Sequence, residues 1–179
     1  MDTYKEKWTI LQREIIILLC KRSGEKLSQR DIARELKVSP TAVGNSLSSF
    51  KKSNLVKIEK TKTINFIQLN RDEKKAIEFK RIENLRNMYL SGLSDYLEKE
   101  LAGSTIILFG SYALGEDTVT SDIDIAVIER KEKQLHLVEY EKMLHRKINV
   151  HFYKSWKDIH PHLKNNILNG IILHGSIEL

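Results

Sequence analysis

Apolar residues recur at helical spacing from the start of the chain. Trp8, Leu11, Ile15, Leu18 and Leu19 predict a first helix over Thr9 to Lys21, stopped by Ser23-Gly24. Ser28 reads as an N-cap, with Asp31 in the first turn of a helix over 29–36 that buries Ile32, Ala33 and Leu36. After a tight connection at Lys37-Val38, Ser39 caps a third helix with Pro40 at its first position. That helix continues through Val43, Leu47 and Phe50. The period then shortens: Leu55 to Leu69 reads as two short strands around a Lys/Thr tip. Asn70 is predicted to cap the next helix, with Asp72 and Glu73 suited to its positive end. From about Arg71 to Leu101 the pattern gives one long helix, or two broken near Ser91-Gly92. Its apolar face is Ala76, Ile77, Phe79, Ile82, Leu85, Met88, Tyr89, Leu93, Tyr96 and Leu97. Glu78, Lys80, Arg81, Glu83 and Arg86 read as its solvated face.

The last third changes character. Thr105 to Phe109 is a β-branched, apolar run, the mark of a buried strand. Gly110-Ser111 ends it and opens a short helix, exposing backbone N–H groups and a hydroxyl where an anion can sit. The loop 116–120 leads to a second strand, Ile123 to Ile128, carrying Asp122 and Asp124 two apart and therefore on one face. Paired carboxylates beside a phosphate cradle suit a hard cation such as Mg²⁺; the alternative is a strand with solvated acids. Gln134 to Arg146 is predicted as an amphipathic helix with Leu135, Val138, Met143 and Leu144 inward. Ile148 to Phe152 is a third strand. Ser155 caps a helix to about Leu168, and Ile171 to Leu173 is a short terminal piece between Gly170 and Gly175.

Composition bounds these readings. With 179 residues and 41% hydrophobic content, the chain can hold one large domain or two small ones with a real core. No run of eighteen apolar residues is present, so no membrane span is expected. A lone cysteine, Cys20, amid Ile17, Leu18 and Leu19, predicts a buried thiol and a reducing, cytoplasmic setting. The net charge of +6 is uneven. Residues 1–70 carry 14 basic and 7 acidic groups, residues 71–103 carry 7 of each, and residues 104–179 carry 9 and 10. The excess lies where a nucleic-acid-binding module would sit, although a basic domain can also be merely soluble.

Two short helices joined by a turn, followed by two strands, resemble the winged helix-turn-helix regulators of prokaryotes. The resemblance covers about residues 9–70 and implies double-stranded DNA as a partner, although the same fold also mediates protein contacts. Its reading helix would present Thr41, Asn45, Ser48 and Ser49 to the major groove, with Lys51 and Lys52 at its end. Lys57, Lys60 and Lys62 would touch phosphates.

The run Gly110-Ser111, a spacer, then Asp122-Ile123-Asp124 in a strand resembles the nucleotidyltransferase superfamily typified by DNA polymerase β. Tyr112-Ala113, Gly115 and Ser121 resemble its small prokaryotic members. The resemblance implies an NTP substrate, Mg²⁺ or Mn²⁺ held by Asp122 and Asp124, and a triphosphate bound at Gly110 and Ser111, with Lys147 as one candidate for its oxygens. The family's third carboxylate falls at Asn149. An amide can offer a carbonyl oxygen but no charge, and His151 lies two residues on as a possible base or ligand. Both could equally be a polar strand face. His160, His162 and His174 have no cysteine or carboxylate at zinc-ligand spacing.

The expected fold is α+β: a winged helix-turn-helix over 1–70, a helical linker over 71–103, and a polymerase β-like domain over 104–179 with a small mixed sheet flanked by helices. Two functions follow. One is NMP transfer from an NTP to a hydroxyl on a protein, RNA or small molecule, of the antitoxin-like kind. The other is a DNA-binding transcriptional regulator whose transferase domain is degenerate and only binds nucleotide. A homodimer would suit the DNA-binding half.

Overall fold

The computed structural model describes residues 8–177 and, within the third helix, leaves the side chains of Lys51 and Lys52 outside the described residues. The chain divides into two compact units, Met1–Ile77 and Glu78–Leu179.

The first unit opens with α1 (Ile10–Lys21), capped by a reciprocal pair of Thr9 and Gln12 hydrogen bonds. A two-residue strand β1 (Leu27–Ser28) leads into α2 (Gln29–Leu36) and then α3 (Pro40–Ser53). Ser28 caps α2 by accepting from the Asp31 amide at 3.1 Å, and Asp31 accepts in return from the Ser28 amide at 3.0 Å. Lys37 takes a left-handed conformation (φ 55°) that ends α2 and turns the chain into α3. Strands β2 (Val56–Lys60) and β3 (Asn65–Leu69) form a hairpin, and β1 adds to β3, giving the antiparallel order β1-β3-β2. Ile15, Ile16, Leu19, Ile32, Val43, Phe50 and Ile67 are buried, and Cys20 is buried among them. Three helices and a wing built this way are a winged helix-turn-helix.

Asn70 does not cap a helix. Its amide donates to the Asn54 carbonyl at 2.8 Å and its backbone N–H bonds Leu55, so it closes the wing, while its Oδ1 and carbonyl accept from the Asp72 and Glu73 amides in the turn that precedes the helix. The next helix, α4 (Lys74–Leu90), starts a turn later, and Gly92 (φ 75°) breaks it from α5 (Leu93–Glu100).

In the second unit, β4 (Thr105–Phe109), α6 (Gly110–Leu114), β5 (Ile123–Ile128), α7 (Val138–Leu144), β6 (Ile148–Tyr153), α8 (Pro161–Leu168) and β7 (Ile171–His174) build a four-stranded sheet. Its order is β6-β5-β4-β7, with β5 and β6 parallel and the other pairs antiparallel. Central β4 is buried at every position because both faces are covered. One face packs Ile106, Leu108, Ile123, Ile125 and Val127 against Met88 of α4, Leu93 and Leu97 of α5, and Leu101 just past its end. The other packs Ile107, Phe109, Ala126 and Ile128 against Trp156, Ile159 and Ile167.

Three expectations are corrected here. Lys80 (0% exposed) and Glu83 (8%) are buried, not solvated, while Ile82 (63%) and Tyr89 (49%) are exposed. The inward stripe of α4 is Ala76, Lys80, Asn84 and Met88, spaced one helical turn apart. The helix predicted over 134–146 is the shorter α7, and Val138 and Met143 face solvent while Leu137, Tyr140 and Leu144 pack inward. Ser155 caps only a 3₁₀ turn, Trp156–Asp158, and α8 starts separately with Pro161 at its first position.

Candidate active site

The site follows from strand alternation at one end of the sheet. Even-numbered residues of β5 share the face of Ala126 and Ile128, and Asp124 occupies the last place on that row, where apolar cover ends. Asp122 continues the row just outside the strand. Because β6 runs parallel to β5, Asn149 lies beside Asp124 and His151 beside Ala126 on the same face. On the other side, Phe109 pairs with Asp124, so the chain leaving β4 enters Gly110 directly against that carboxylate.

The distances are short. Asn149 Nδ2 donates to Asp122 Oδ2 at 3.2 Å and to Asp124 Oδ1 at 3.4 Å. His151 Nε2 lies 3.7 Å from Asp124 Oδ1, and its ring stacks edge-on to Phe109 at 5.8 Å. Gly110 has φ 75°, and a Cβ there would fall 2.8 Å from Asp124 Oδ2. Only glycine fits both the backbone conformation and the contact. Ser111 is half-buried at the start of α6. Lys147 is exposed, and its carbonyl accepts from the Ile123 amide at 2.8 Å. It lines an open cleft of about 480 Å³ with Asp122, Ser121, Lys142 and His145. The structure thus brings together Gly110, Asp122, Asp124, Asn149 and His151, with Ser111 and Lys147 at the margin. Among the described residues no group of three or more His, Cys, Asp or Glu side chains converges. Asp122 and Asp124 do converge on one amide, through its nitrogen; with that amide turned over, its oxygen would join the two carboxylates in a hard-oxygen set suited to a divalent cation such as Mg²⁺. A more enclosed cavity of about 380 Å³, lined by Glu98, Glu129, Trp156 and His174, contains none of these residues.

In the first unit, Thr41, Asn45 and Ser48 are exposed along one side of α3, and Lys60 and Lys62 are exposed on the wing. Ser49 is instead half-buried and accepts from Gln12 Nε2 at 2.9 Å. Lys57 is engaged by the Asp72 carboxylate, which leaves it less available to a phosphate than its wing neighbours. The expected contacts of the Lys51 and Lys52 side chains lie outside the described residues.

A buried cluster beside the site has no counterpart among the residues predicted from sequence. Asp117 is held by Lys80, Asn84 and Arg146. Burial, reinforced by the Asp117 carboxylate, pushes the adjoining Tyr112 phenol well above its ordinary range, with Arg146 opposing. The sequence did hold a signal: Lys80 and Asn84 stand on the same helical stripe as Ala76 and Met88.

The profile of the nucleotidyltransferase domain family matches residues 90–174. Over 70 residues the chain is 46% identical to a Methanocaldococcus jannaschii protein named "Putative protein adenylyltransferase", an alignment spanning 36% of this chain and 72% of that protein. The chain belongs to the nucleotidyltransferase family. The matched nucleotidyltransferase segment begins at the end of α4 and holds every residue of the site just described. Among solved structures, similarity is found to ZitR of Lactococcus lactis (21% identity, TM-score 0.39, 54% of this chain and 64% of that one). It is also found to the adhesin competence repressor AdcR of Streptococcus pyogenes (18%, 0.40, 56% and 73%). The chain thus spans just under two thirds of ZitR, and at these scores neither likeness bears on fold or function. Among the described residues no helix is long and apolar enough to cross a membrane.

Proposed function

We propose that the second unit transfers a nucleoside monophosphate, with ATP the favoured donor, from an NTP to a hydroxyl on a protein. The observation that carries this reading is the convergence of Asp122, Asp124 and Asn149 beside the glycine at 110. The adenylyltransferase relative supports the donor and the protein acceptor. The absence of a side chain at Gly110 lets a phosphate approach the backbone, and the Ser111 hydroxyl follows as a donor. The acceptor oxygen attacks the α-phosphorus as the bond to the pyrophosphate oxygen breaks. His151, 3.7 Å from Asp124, would take the acceptor's proton. A divalent cation, Mg²⁺ or Mn²⁺, held by Asp122 and Asp124, would supply charge neutralisation for the triphosphate. Lys147, at the cleft beside Asp122, is assigned to phosphate oxygens.

The first unit is assigned to double-stranded DNA, with Thr41, Asn45 and Ser48 toward bases and the wing lysines toward phosphates. Together the two activities describe a cytoplasmic, antitoxin-like protein that modifies a partner and regulates transcription, binding DNA as a homodimer. Asn149 favours a second reading, a regulator that binds nucleotide without turnover, because the site carries one carboxylate fewer than the family pattern.

Label transfer separates the two. The protein is incubated with each α-labelled NTP, Mg²⁺ or Mn²⁺ and host lysate, beside an Asp122→Ala/Asp124→Ala control. Label on a protein band that needs the aspartates supports transfer; label on RNA instead moves the acceptor class. No label despite aspartate-dependent NTP binding supports the regulator. Asn149→Asp adds the missing charge, and an increase in cation affinity of about tenfold is expected by isothermal titration. Unchanged affinity would place the third ligand elsewhere.

A further inference from the structure

Three segments that carry the site meet at one buried polar cluster centred on Asp117, the Gly110-Ser111 segment through Asn84. Asp117 is 1% exposed. Its Oδ1 accepts from Lys80 Nζ and, at 2.6 Å, from Asn84 Nδ2, and the Arg146 guanidinium lies 3.6 Å from its Oδ2. Asn84 Nδ2 also donates to the Tyr112 carbonyl at 2.9 Å, and the Tyr112 hydroxyl donates to the Asn84 carbonyl at 3.4 Å. Tyr112 directly follows Gly110-Ser111, Asp117 stands in the loop that ends at Asp122, and Arg146 leads into Asn149.

The energetics argue against a stabilising purpose. Removing two cations and a carboxylate from water costs several kcal/mol per ion, and apolar replacements of such groups are often neutral or better. What such a cluster does supply is direction, because the hydrogen bonds of Lys80 and Asn84 to Asp117 Oδ1 fix an angle as well as a distance, while Arg146, 3.6 Å from Oδ2, adds charge attraction. Beyond Asp117 the loop is self-braced. The Thr118 amide donates to Ser121 Oγ at 3.0 Å and the Ser121 amide to the Thr118 carbonyl at 3.0 Å. An orientation set at Asp117 therefore reaches Asp122 through a stiff turn.

We propose that Asp117 is a positioning residue: gripped by Lys80, Asn84 and Arg146, it holds the Gly110-Ser111 segment, the Asp122 loop and the Asn149 strand in the register that cation binding requires. Its functional consequence rests on the nucleotidyltransferase reading above, whereas its effect on the loop does not.

The test uses the full chain with Lys80→Met/Asp117→Leu, which removes the closest ion pair as a unit and leaves Arg146, which also donates to the His145 carbonyl, without this carboxylate. Amide hydrogen exchange is followed over 118–123 and over Ile125–Ile128, and Mn²⁺ affinity is measured by paramagnetic resonance. The double variant is expected to keep wild-type circular dichroism, to exchange at least about tenfold faster over 118–123 but not over 125–128, and to bind Mn²⁺ about tenfold more weakly. A folded double variant with wild-type loop exchange and Mn²⁺ affinity overturns the proposal. Should the double variant not fold, Asp117→Asn takes its place with the same selective acceleration expected, and uniform or unchanged exchange overturns the proposal. Asp122→Ala/Asp124→Ala in the same titration separates the two readings. If that control binds Mn²⁺ like wild type, the assignment of the cation site falls, and the exchange data still decide whether Asp117 sets the loop.

Discussion

At the scale of single residues, the site depends on positions with little freedom to vary. Gly110→Ala would place a methyl against Asp124 Oδ2 in a left-handed backbone. The backbone cost alone is about 1–2 kcal/mol. Loss of Mn²⁺ binding with a modest fall in melting temperature is the expected outcome; a wild-type titration curve would show that the carboxylate can move aside. Ser28→Ala removes the cap of α2 and is expected to cost about 1 kcal/mol in urea denaturation. Its partner Asp31 is held below the ordinary carboxylate range, first by the Ser28 hydroxyl and backbone bonds. A depressed folded-state value means that the contribution is complete above the unfolded value near 3.8 and is lost as pH falls through the folded one. The acid limb of the stability profile should therefore be shallower in Ser28→Ala than in wild type. Equal limbs would show that the cap is not what holds Asp31 down.

At the scale of elements, the segment 71–103 is more than a connection. Met88, Leu93, Leu97 and Leu101 are all fully buried against the sheet of the second unit. Leu97→Ala is expected to cost roughly 2–5 kcal/mol. A fragment 78–179 should melt cooperatively, whereas 104–179, lacking both α4 and α5, should not. A cooperative melt from the shorter fragment would mean that the sheet stands without those helices. Capping and breaking signals made most helices legible: Ser28, Ser39-Pro40 and Gly92 mark ends that the structure reproduces. Where the pattern misled, neighbours outweighed periodicity. Glu141 of α7 turns its carboxylate to the Ile148 amide at 3.0 Å, and the helix ends at Leu144 with His145 in a left-handed conformation. Lys80 shares its helical stripe with Ala76 and Met88, but a lysine reads as solvated until its partner is known, and that partner, Asp117, is 37 residues away.

At the scale of the whole molecule, charge divides along the chain. The first 70 residues hold 14 basic and 7 acidic groups, and the last 76 hold 9 and 10. For the proposed duplex binding, fluorescence anisotropy over a salt series should give a linear fall of log affinity with log salt. Lys60→Ala/Lys62→Ala should reduce that slope by about 2. Lys57→Ala should change it less, because Asp72 already engages that ammonium. Salt-independent binding, or none, would remove DNA from the account of this unit.

What the sequence by itself determined is local and periodic. It set the strand alternation that puts Asp122 and Asp124 on one face, the glycine that must sit where β4 ends, the caps of α2 and α3, and the asymmetry of charge. Those features depend on neighbours a few positions apart, so a linear reading reaches them. The tertiary structure alone decided which strands are adjacent, and hence that Asn149 hydrogen-bonds both aspartates and that His151 lies near Asp124. It also decided that Lys80, Asn84 and Arg146 close on Asp117. These contacts join residues far apart in sequence, and a buried charge is tolerated only where an opposite one arrives from elsewhere in the fold.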